Sequence, residues 1–136
     1  KLIVSTLSKL ENGSITPRPQ GEEFTYAPLI KKSMGEIDFS KTAREIYNMI
    51  RAFTPWPSAF TMLNGRRIKI VEAAVSDKTT KMPSGSVCFT CGAISAACGD
   101  GSVIDFLTIQ PEGSGKMPAD AFLRGHAVEI GAVLGK

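Results

Sequence analysis

Two prolines flank the only tryptophan, Trp56, at the point where the residue pattern of this chain changes. Before them, apolar residues recur every three or four positions, which predicts a helix over residues 41–53 with Ser40 as its N-cap. After them the period is two, as in a half-buried strand. Because proline fixes its own φ and keeps the preceding residue out of helical space, the run predicts a rigid corner. We expect the Trp56 ring to cover a small core at this corner.

Short strands separated by turn residues fill most of the chain after the corner. Asn64-Gly65 predicts a two-residue hairpin, whose return strand should bury Ile68 and Ile70, with Glu72 as a further candidate. The pattern predicts strands at 60–63, 66–74, 86–91, 93–98, 103–109 and 127–134, a polar loop at 76–85 and a helical turn at 118–123. The fold class expected is mainly β, a small OB-like open Greek-key barrel of five or six antiparallel strands with one main helix.

The N-terminal part has a different character. Residues 2–11 show helical spacing with an apolar face, and Asn12-Gly13 is a helix stop. The segment 14–36 begins with a proline-rich stretch and predicts a linker. The apolar face has no partner in the remaining sequence, and the chain starts without methionine, so we expect a piece of a longer protein.

Charge and cysteine content narrow the function classes. The net charge is +3, but residues 31–81 hold ten Lys or Arg against five Asp or Glu, which favours a basic face that meets a polyanion or a solvated face with no partner. Three cysteines argue against a secreted disulfide framework, and we expect no metal site. No signal peptide or membrane-spanning run is expected.

From about residue 15 to 134, the chain resembles the C-terminal domain of methionyl-tRNA formyltransferases. The resemblance rests on several short motifs that follow one another in the family's order. They are Thr25-Tyr26-Ala27-Pro28, Ile37-Asp38-Phe39-Ser40, the stretch 50–60, the basic hairpin 64–70, Cys98-Gly99-Asp100-Gly101, Gln110-Pro111-Glu112-Gly113 and the stretch 116–125. Phe39 stands where the family commonly has tryptophan, and the hairpin around Gly92 is shorter than usual.

The resemblance implies a domain division and an activity. Residues 1–13 would end the last helix of a missing N-terminal catalytic domain, 14–36 would be the linker and 37–136 the tRNA-binding domain. The parent enzyme would transfer a formyl group from 10-formyltetrahydrofolate to methionine on initiator methionyl-tRNA, in bacterial cytoplasm or an organelle matrix. The N-terminal formyltransferase domain would act in cis, and we expect a monomer. No catalytic residue is expected here, and His126, the single histidine, is interpreted as a turn residue.

The tRNA-binding role points to basic residues, because Lys and Arg neutralise phosphates and supply orientation without reading bases. The candidates are Lys31, Lys32, Arg51, Arg66, Arg67, Lys69 and Arg124. Strand alternation should place Arg67 and Lys69 on one face. Arg51 has a second interpretation, since it also complements the dipole at the end of its helix.

Two alternatives stay open. The same type of module could support a related formyltransferase, of the sugar-nucleotide or folate dehydrogenase type, without binding RNA. It could also be an autonomous OB-like oligonucleotide binder. Against the second, Phe60, Phe89 and Phe106 are expected in the core, which leaves Tyr26 and Trp56 as the aromatic rings available for stacking on bases.

Overall fold

Residues 1 to 135 are described by a computed structural model, in which a curled antiparallel sheet carries one main helix and a shorter C-terminal helix. The helices are α1 (Leu2–Glu11), α2 (Ala43–Ala52) and α3 (Ala119–Gly125), with a short 3-10 helix at Lys32–Gly35. The strands are β1 (Ala59–Leu63), β2 (Arg66–Thr79), β3 (Val87–Phe89), β4 (Ile94–Ala97), β5 (Ser102–Pro111) and β6 (Met117–Pro118). The mainly β, OB-like class predicted from the sequence is confirmed.

The sheet order is β1-β2-β5-β4-β3, and β6 extends the β4 side of β5. The β1–β2 connection is the predicted hairpin: Leu63 pairs with Arg66, and Asn64 and Gly65 have positive φ angles of 50° and 73°. Asparagine and glycine tolerate these angles, which a two-residue turn of this twist requires. The hairpin register therefore follows from the sequence.

The core lies between α2 and the concave face of the sheet. α2 buries Ala43, Ile46 and Ile50, and the sheet contributes fully buried Ile70 and Phe106, among other apolar residues. Complete burial of one isoleucine stabilises a fold by about 1.5–3 kcal/mol. The helix predicted at 41–53 is confirmed with slightly shorter bounds.

The start of α2 corrects one prediction. The N-cap is Thr42, whose Oγ1 accepts the Glu45 N–H, while the Glu45 carboxylate accepts the Thr42 N–H at 2.9 Å. Ser40, the predicted cap, instead donates its N–H and hydroxyl to Asp38 Oδ1. A capping box needs a Glu or Gln three residues after the cap, which Thr42 has and Ser40 lacks.

Strand β2 runs further than predicted, through Thr79, because it continues to pair with β5 beyond three irregularities of register. One of these lies between Ile70 and Glu72, so Glu72 is exposed rather than on the buried face. An extra residue in one strand of a pair reverses the faces that follow it. The inward placement of Glu72 was therefore wrong.

The final strand predicted at 127–134 was also wrong. The segment turns at Gly131, which has φ 94°, and forms only one isolated bridge, from Val133 to Ser86. Two backbone hydrogen bonds fix its end: the Leu134 N–H donates to Gly85 O and the Gly135 N–H to Met62 O. The C-terminal segment thus joins the β3 edge to the β1 edge without forming a strand.

The proline corner departs from its predicted role. Residues 53–57 form a turn between α2 and β1, but Trp56 is 54% exposed and Pro57 is the buried member of the run. The expectation that the Trp56 ring covers the core was therefore wrong. The sharp change of direction between helix and strand was correctly predicted.

The N-terminal helix α1 is confirmed, and it buries no residue. Its apolar side chains are all exposed, and those of Leu2, Ile3 and Leu7 are more than half exposed. Residues 14 to 31 form no helix or strand and are exposed. None of the helices described in residues 1–135 is both long and apolar enough to cross a membrane.

Candidate nucleic-acid interface

The hairpin strand β2 has two chemically different faces. Ile68 and Ile70 are buried, whereas Arg67 and Lys69 lie on the opposite face and are only partly buried. The predicted alternation is confirmed, and it puts two cations side by side on the outside of the sheet. Phe60 and Met62 of β1 lie opposite Lys69 and Arg67 in the hairpin register.

This basic face continues across three shallow grooves that share lining residues. Arg67, Lys69 and Gln110 line the first groove. Lys69 and Gln110 recur in the second, together with Lys116 and Thr54. Thr54 recurs in the third, which Arg51 and Tyr47 also line. We call this continuous surface the basic track, defined by Arg51, Lys116, Lys69 and Arg67.

The α2 end of the basic track is built around Tyr47. The guanidinium carbons of Arg44 and Arg51 lie 5.7 and 5.5 Å from the centre of the Tyr47 ring. Residues three and four apart share a helix face, so the sequence spacing produces this arrangement. Arg51 is exposed in the last turn of α2, where its charge also suits the helix dipole.

Lys31 and Lys32 are exposed where the chain reaches the sheet. The Ile37 N–H donates to Phe60 O at 2.9 Å, and Gly35 packs so closely on β1 that an added Cβ would lie 2.3 Å from Ser58 O. The two lysines are therefore tethered next to β1, whose Phe60 lies under the Arg67 side chain.

Arg66 and Arg124 are not part of the basic track. Arg66 lines a neighbouring cavity of about 350 Å³, which shares Pro111 and Glu112 with the first groove. Arg124 forms an exposed ion pair with Asp120 at 2.8 Å, which offsets its charge locally. The structure thus brings Arg51, Arg67 and Lys69 together, whereas the other predicted residues lie at its edge or elsewhere.

Sequence reasoning missed two cations of this surface, Lys116 and Arg44. Lys116 precedes β6, and the pairing of Met117 with Ile109 carries it towards Gln110. Nothing local in the sequence predicts so short a strand. Arg44 had a signal, because it lies three residues before Tyr47 on the helix predicted at 41–53.

Acidic groups near the basic track are few and partly engaged. Glu72 lines the third groove, and its carboxylate accepts a hydrogen bond from Thr108 Oγ1 at 2.6 Å. Glu112 lines the first groove. Within residues 1–135, no carboxylate lies within 4.0 Å of a basic nitrogen of the track, so its cations are available to an external anion.

The thiols and the histidine do not form a reactive group. Cys88 and Cys98 are buried, and burial raises the pKa of both, that of Cys98 to about 11, so they stay protonated. Cys91 is exposed in the β3–β4 turn. The His126 ring stacks on Phe122 at 4.2 Å. In the described part of the chain, no three His, Cys, Asp or Glu residues are grouped as metal ligands.

A family model described as "Formyl transferase, C-terminal domain" matches residues 29–127, which contain the whole basic track. This chain belongs to the formyl transferase C-terminal domain family. The matched range includes α2 and all six strands. It leaves out α1 and the exposed segment that follows it.

Curated relatives of similar sequence are methionyl-tRNA formyltransferases. The protein from Acidobacterium capsulatum is 38% identical over 93% of this chain and 41% of its own length. That from Bacillus subtilis is 39% identical over 99% of this chain and 43% of its own length. The chain therefore spans less than half the length of the relatives that it matches.

A solved structure with a similar fold is HypX from Aquifex aeolicus, crystallised in complex with tetrahydrofolic acid. It superimposes with a TM-score of 0.57 at 18% identity, over 89% of this chain and 22% of that protein. At this identity the likeness concerns the fold. Part of HypX thus shares the fold of this chain.

Proposed function

We propose that this chain is the tRNA-binding domain of a methionyl-tRNA formyltransferase. The observation that carries the proposal is the basic track, a continuous surface of cations without carboxylate partners among residues 1–135, in a family member whose relatives act on methionyl-tRNA. Lys and Arg on such a surface bind phosphates and fix orientation rather than sequence.

In the proposed enzyme, the formyl group of 10-formyltetrahydrofolate is transferred to the amino group of methionine on initiator tRNA. The donor and the reacting amine bind outside this chain, in an N-terminal domain of the same polypeptide. Residues 37–136 bind the body of the tRNA, 14–36 connect the two domains and 1–13 belong to the catalytic domain. The exposed apolar face of α1 and the partial coverage of the relatives support this division. The bacterial relatives support a cytoplasmic site of action, and the protein is proposed to act as a monomer.

The contacts proposed for the tRNA fall into two groups. Arg51, Lys69, Lys116 and Arg67 form a continuous phosphate-binding surface, and Lys31 and Lys32 extend it from the linker. Arg66 and Arg124 lie outside this surface and are proposed to contribute little to affinity.

The test is the double variant Arg67→Ala/Lys69→Ala in the complete protein, measured for initiator methionyl-tRNA binding at several salt concentrations. Each lost phosphate contact lowers the slope of log affinity against log salt by about 0.7–0.9. We therefore expect weaker binding, a slope reduced by about 1.4–1.8 and nearly unchanged stability, since both side chains face outwards.

The matched control removes the same charge elsewhere, by Lys78→Ala/Lys81→Ala. Both lysines are exposed at the far end of β2 or beyond it. Equal effects of the two double variants would show that only net charge matters. Salt-independent binding by the unaltered protein would contradict the phosphate-binding role itself.

A second candidate function is binding of single-stranded oligonucleotides, which exposed aromatic rings favour. Tyr26 is 82% exposed, Phe24 69% and Trp56 54%, and bases stack on such rings without sequence preference. A competition between folded tRNA and an unstructured RNA of equal length separates the two functions. Preference for the unstructured RNA would support the second.

A further inference from the structure

The Arg67 guanidinium lies over an aromatic ring of the neighbouring strand. Its guanidinium carbon is 3.6 Å from the centre of the Phe60 ring, well inside the limit of about 6 Å for a cation–π contact. Phe60 pairs with Lys69, so Arg67 reaches Phe60 diagonally across the hairpin. Diagonal neighbours on one face are within reach of long and aromatic side chains.

The N–H donors of the Arg67 guanidinium have no side-chain partner within the described residues. Its Nε atom is buried without a partner among residues 1–135. Within the same residues, the two terminal nitrogens form no side-chain hydrogen bond or ion pair, and the side chain lines the groove that contains Lys69 and Gln110. A guanidinium fixed on one face by a ring keeps its terminal N–H groups in a defined plane.

Resting on the proposed function, we propose that Phe60 is a positioning residue that holds Arg67 ready to bind one tRNA phosphate through both terminal nitrogens. Two parallel N–H···O bonds are the usual mode of arginine with phosphate, and lysine cannot form them. Phe60 itself carries no charge and does not bind the phosphate. Its effect is to restrict the Arg67 side chain before the tRNA arrives, which lowers the ordering cost of binding.

This geometry distinguishes Arg67 from a simple surface charge. A point charge at this position would serve equally well as arginine or lysine, whereas a bidentate contact requires the guanidinium plane. Lys69 and Lys116, which have no ring beneath them in the described contacts, are expected to act as point charges. Arg67→Lys therefore separates the two models without any change in net charge.

The experiment measures initiator methionyl-tRNA affinity against salt for Arg67→Lys, Phe60→Leu and Phe60→Tyr in the complete protein. We expect the first two to weaken binding by about tenfold, the size of one lost charged hydrogen bond. The salt slope should stay unchanged, because the number of cations is unchanged. Phe60→Tyr keeps the ring and should bind like the unaltered protein, and the double variant Phe60→Leu/Arg67→Lys should be no weaker than Arg67→Lys alone.

The chain supplies a matched control in the Lys78–Phe89 pair. The Lys78 ammonium lies 4.6 Å from the centre of the Phe89 ring, at the other end of the sheet. Phe89→Leu removes a cation–π contact outside the basic track and should leave affinity unchanged.

Two results would overturn the inference: unchanged affinity of Arg67→Lys, or unchanged affinity of a folded Phe60→Leu. Arg67→Lys decides the matter even if Phe60→Leu unfolds, since it alters no core residue. If the unaltered protein binds tRNA strongly and in a salt-dependent way, and Arg67→Lys binds equally well, this inference is wrong but the proposed function stands. Absence of salt-dependent tRNA binding would instead remove the proposed function.

Discussion

The start of α2 and the basic track are polar regions at opposite ends of the same helix, and they differ in whether their polar groups have partners within residues 1–135. At the start, Thr42 and Glu45 cap each other, and Ser102 Oγ accepts the Ala43 N–H at 2.9 Å while donating to Asp100. The basic track, which begins near the last turn, has cations with no carboxylate within 4.0 Å in residues 1–135. The polar groups at the start of α2 are therefore paired with one another, whereas the cations of the basic track have no carboxylate partner within the described residues.

The difference separates polar residues that stabilise the fold from those available for binding. Buried or partly buried donors at a helix end need partners, and leaving one unpaired costs about 1–3 kcal/mol. Exposed cations such as Arg51 and Lys116 remain solvated and need no partner. The partly buried Arg67 is the exception on the basic track, because its Nε is buried without a partner in residues 1–135. Substitutions at the start of α2 should therefore lower stability, and substitutions on the basic track should lower tRNA affinity.

The largest expected loss of stability is that of Gly99→Ala, which would disrupt the packing at the start of α2. A Cβ at this position would lie 1.9 Å from Ser40 O and 2.5 Å from Ser40 C, and the Gly99 N–H donates to Lys41 O. Backbone cannot move aside as a side chain can, so we expect a loss of about 3 kcal/mol in the free energy of unfolding, the upper end for overpacking. Denaturant unfolding measures it.

Gly115→Ala is the control for this prediction, because a Cβ there meets nothing within 4 Å and the backbone needs no positive φ. It should change stability by less than about 0.5 kcal/mol. Equal stability of the two variants would show that the Ser40–Gly99 contact does not hold the start of α2 against the sheet.

The contrast between the regions also reflects what the sequence can reveal. The Asn64-Gly65 hairpin and the outward placement of Arg67 and Lys69 were predictable, because turn chemistry and strand alternation are local signals. The capping box at Thr42 is also a local signal, because Glu45 follows Thr42 by three residues, whereas no Glu or Gln follows the predicted cap Ser40 at that spacing.

Features that depend on pairing between distant segments could not be predicted. The irregularity after Ile70 exists only because β2 pairs with β5, and it alone turns Glu72 outwards. Lys116 reaches the groove of Lys69 only through the β5–β6 pairing. The exposure of Trp56 likewise depends on how the corner packs, since Pro57 takes the buried place. Most of the fold could thus be predicted, but only part of the candidate site.

A smaller loss of stability is expected at acidic pH, which protonates the carboxylates at the start of α2. Hydrogen bonds from Ser40, Thr42 and Ser102 lower the pKa of Asp38, Glu45 and Asp100 respectively from ordinary values of 3.8, 4.5 and 3.8. A carboxyl group whose pKa is lower in the folded state adds stability above its ordinary value and loses it as pH falls through the folded value.

We therefore expect the melting temperature to fall as the pH drops below about 4.5. In the triple variant Asp38→Asn/Glu45→Gln/Asp100→Asn, the part of this fall that comes from the start of α2 should be missing. Thermal unfolding followed by circular dichroism between pH 3 and 7 measures it. An identical acid profile of the variant and the unaltered protein would assign the acid sensitivity to other carboxylates.

A small stability change is expected for Trp56→Ala, at the corner where α2 ends. Because the ring is 54% exposed, its removal should cost less than about 1 kcal/mol, as for surface positions that bury only part of their area. Affinity for tRNA should stay within about twofold. The neighbouring Pro55 lines the groove of Lys69 and Lys116, but in the described contacts the Trp56 ring lies against no cation of the basic track. Loss of affinity by a variant of normal stability would instead place the ring at the RNA, where stacking on one base is worth about 1–3 kcal/mol. The corner would then belong to the binding surface, and the division between stabilising and binding residues would cross the Pro55-Trp56-Pro57 run itself.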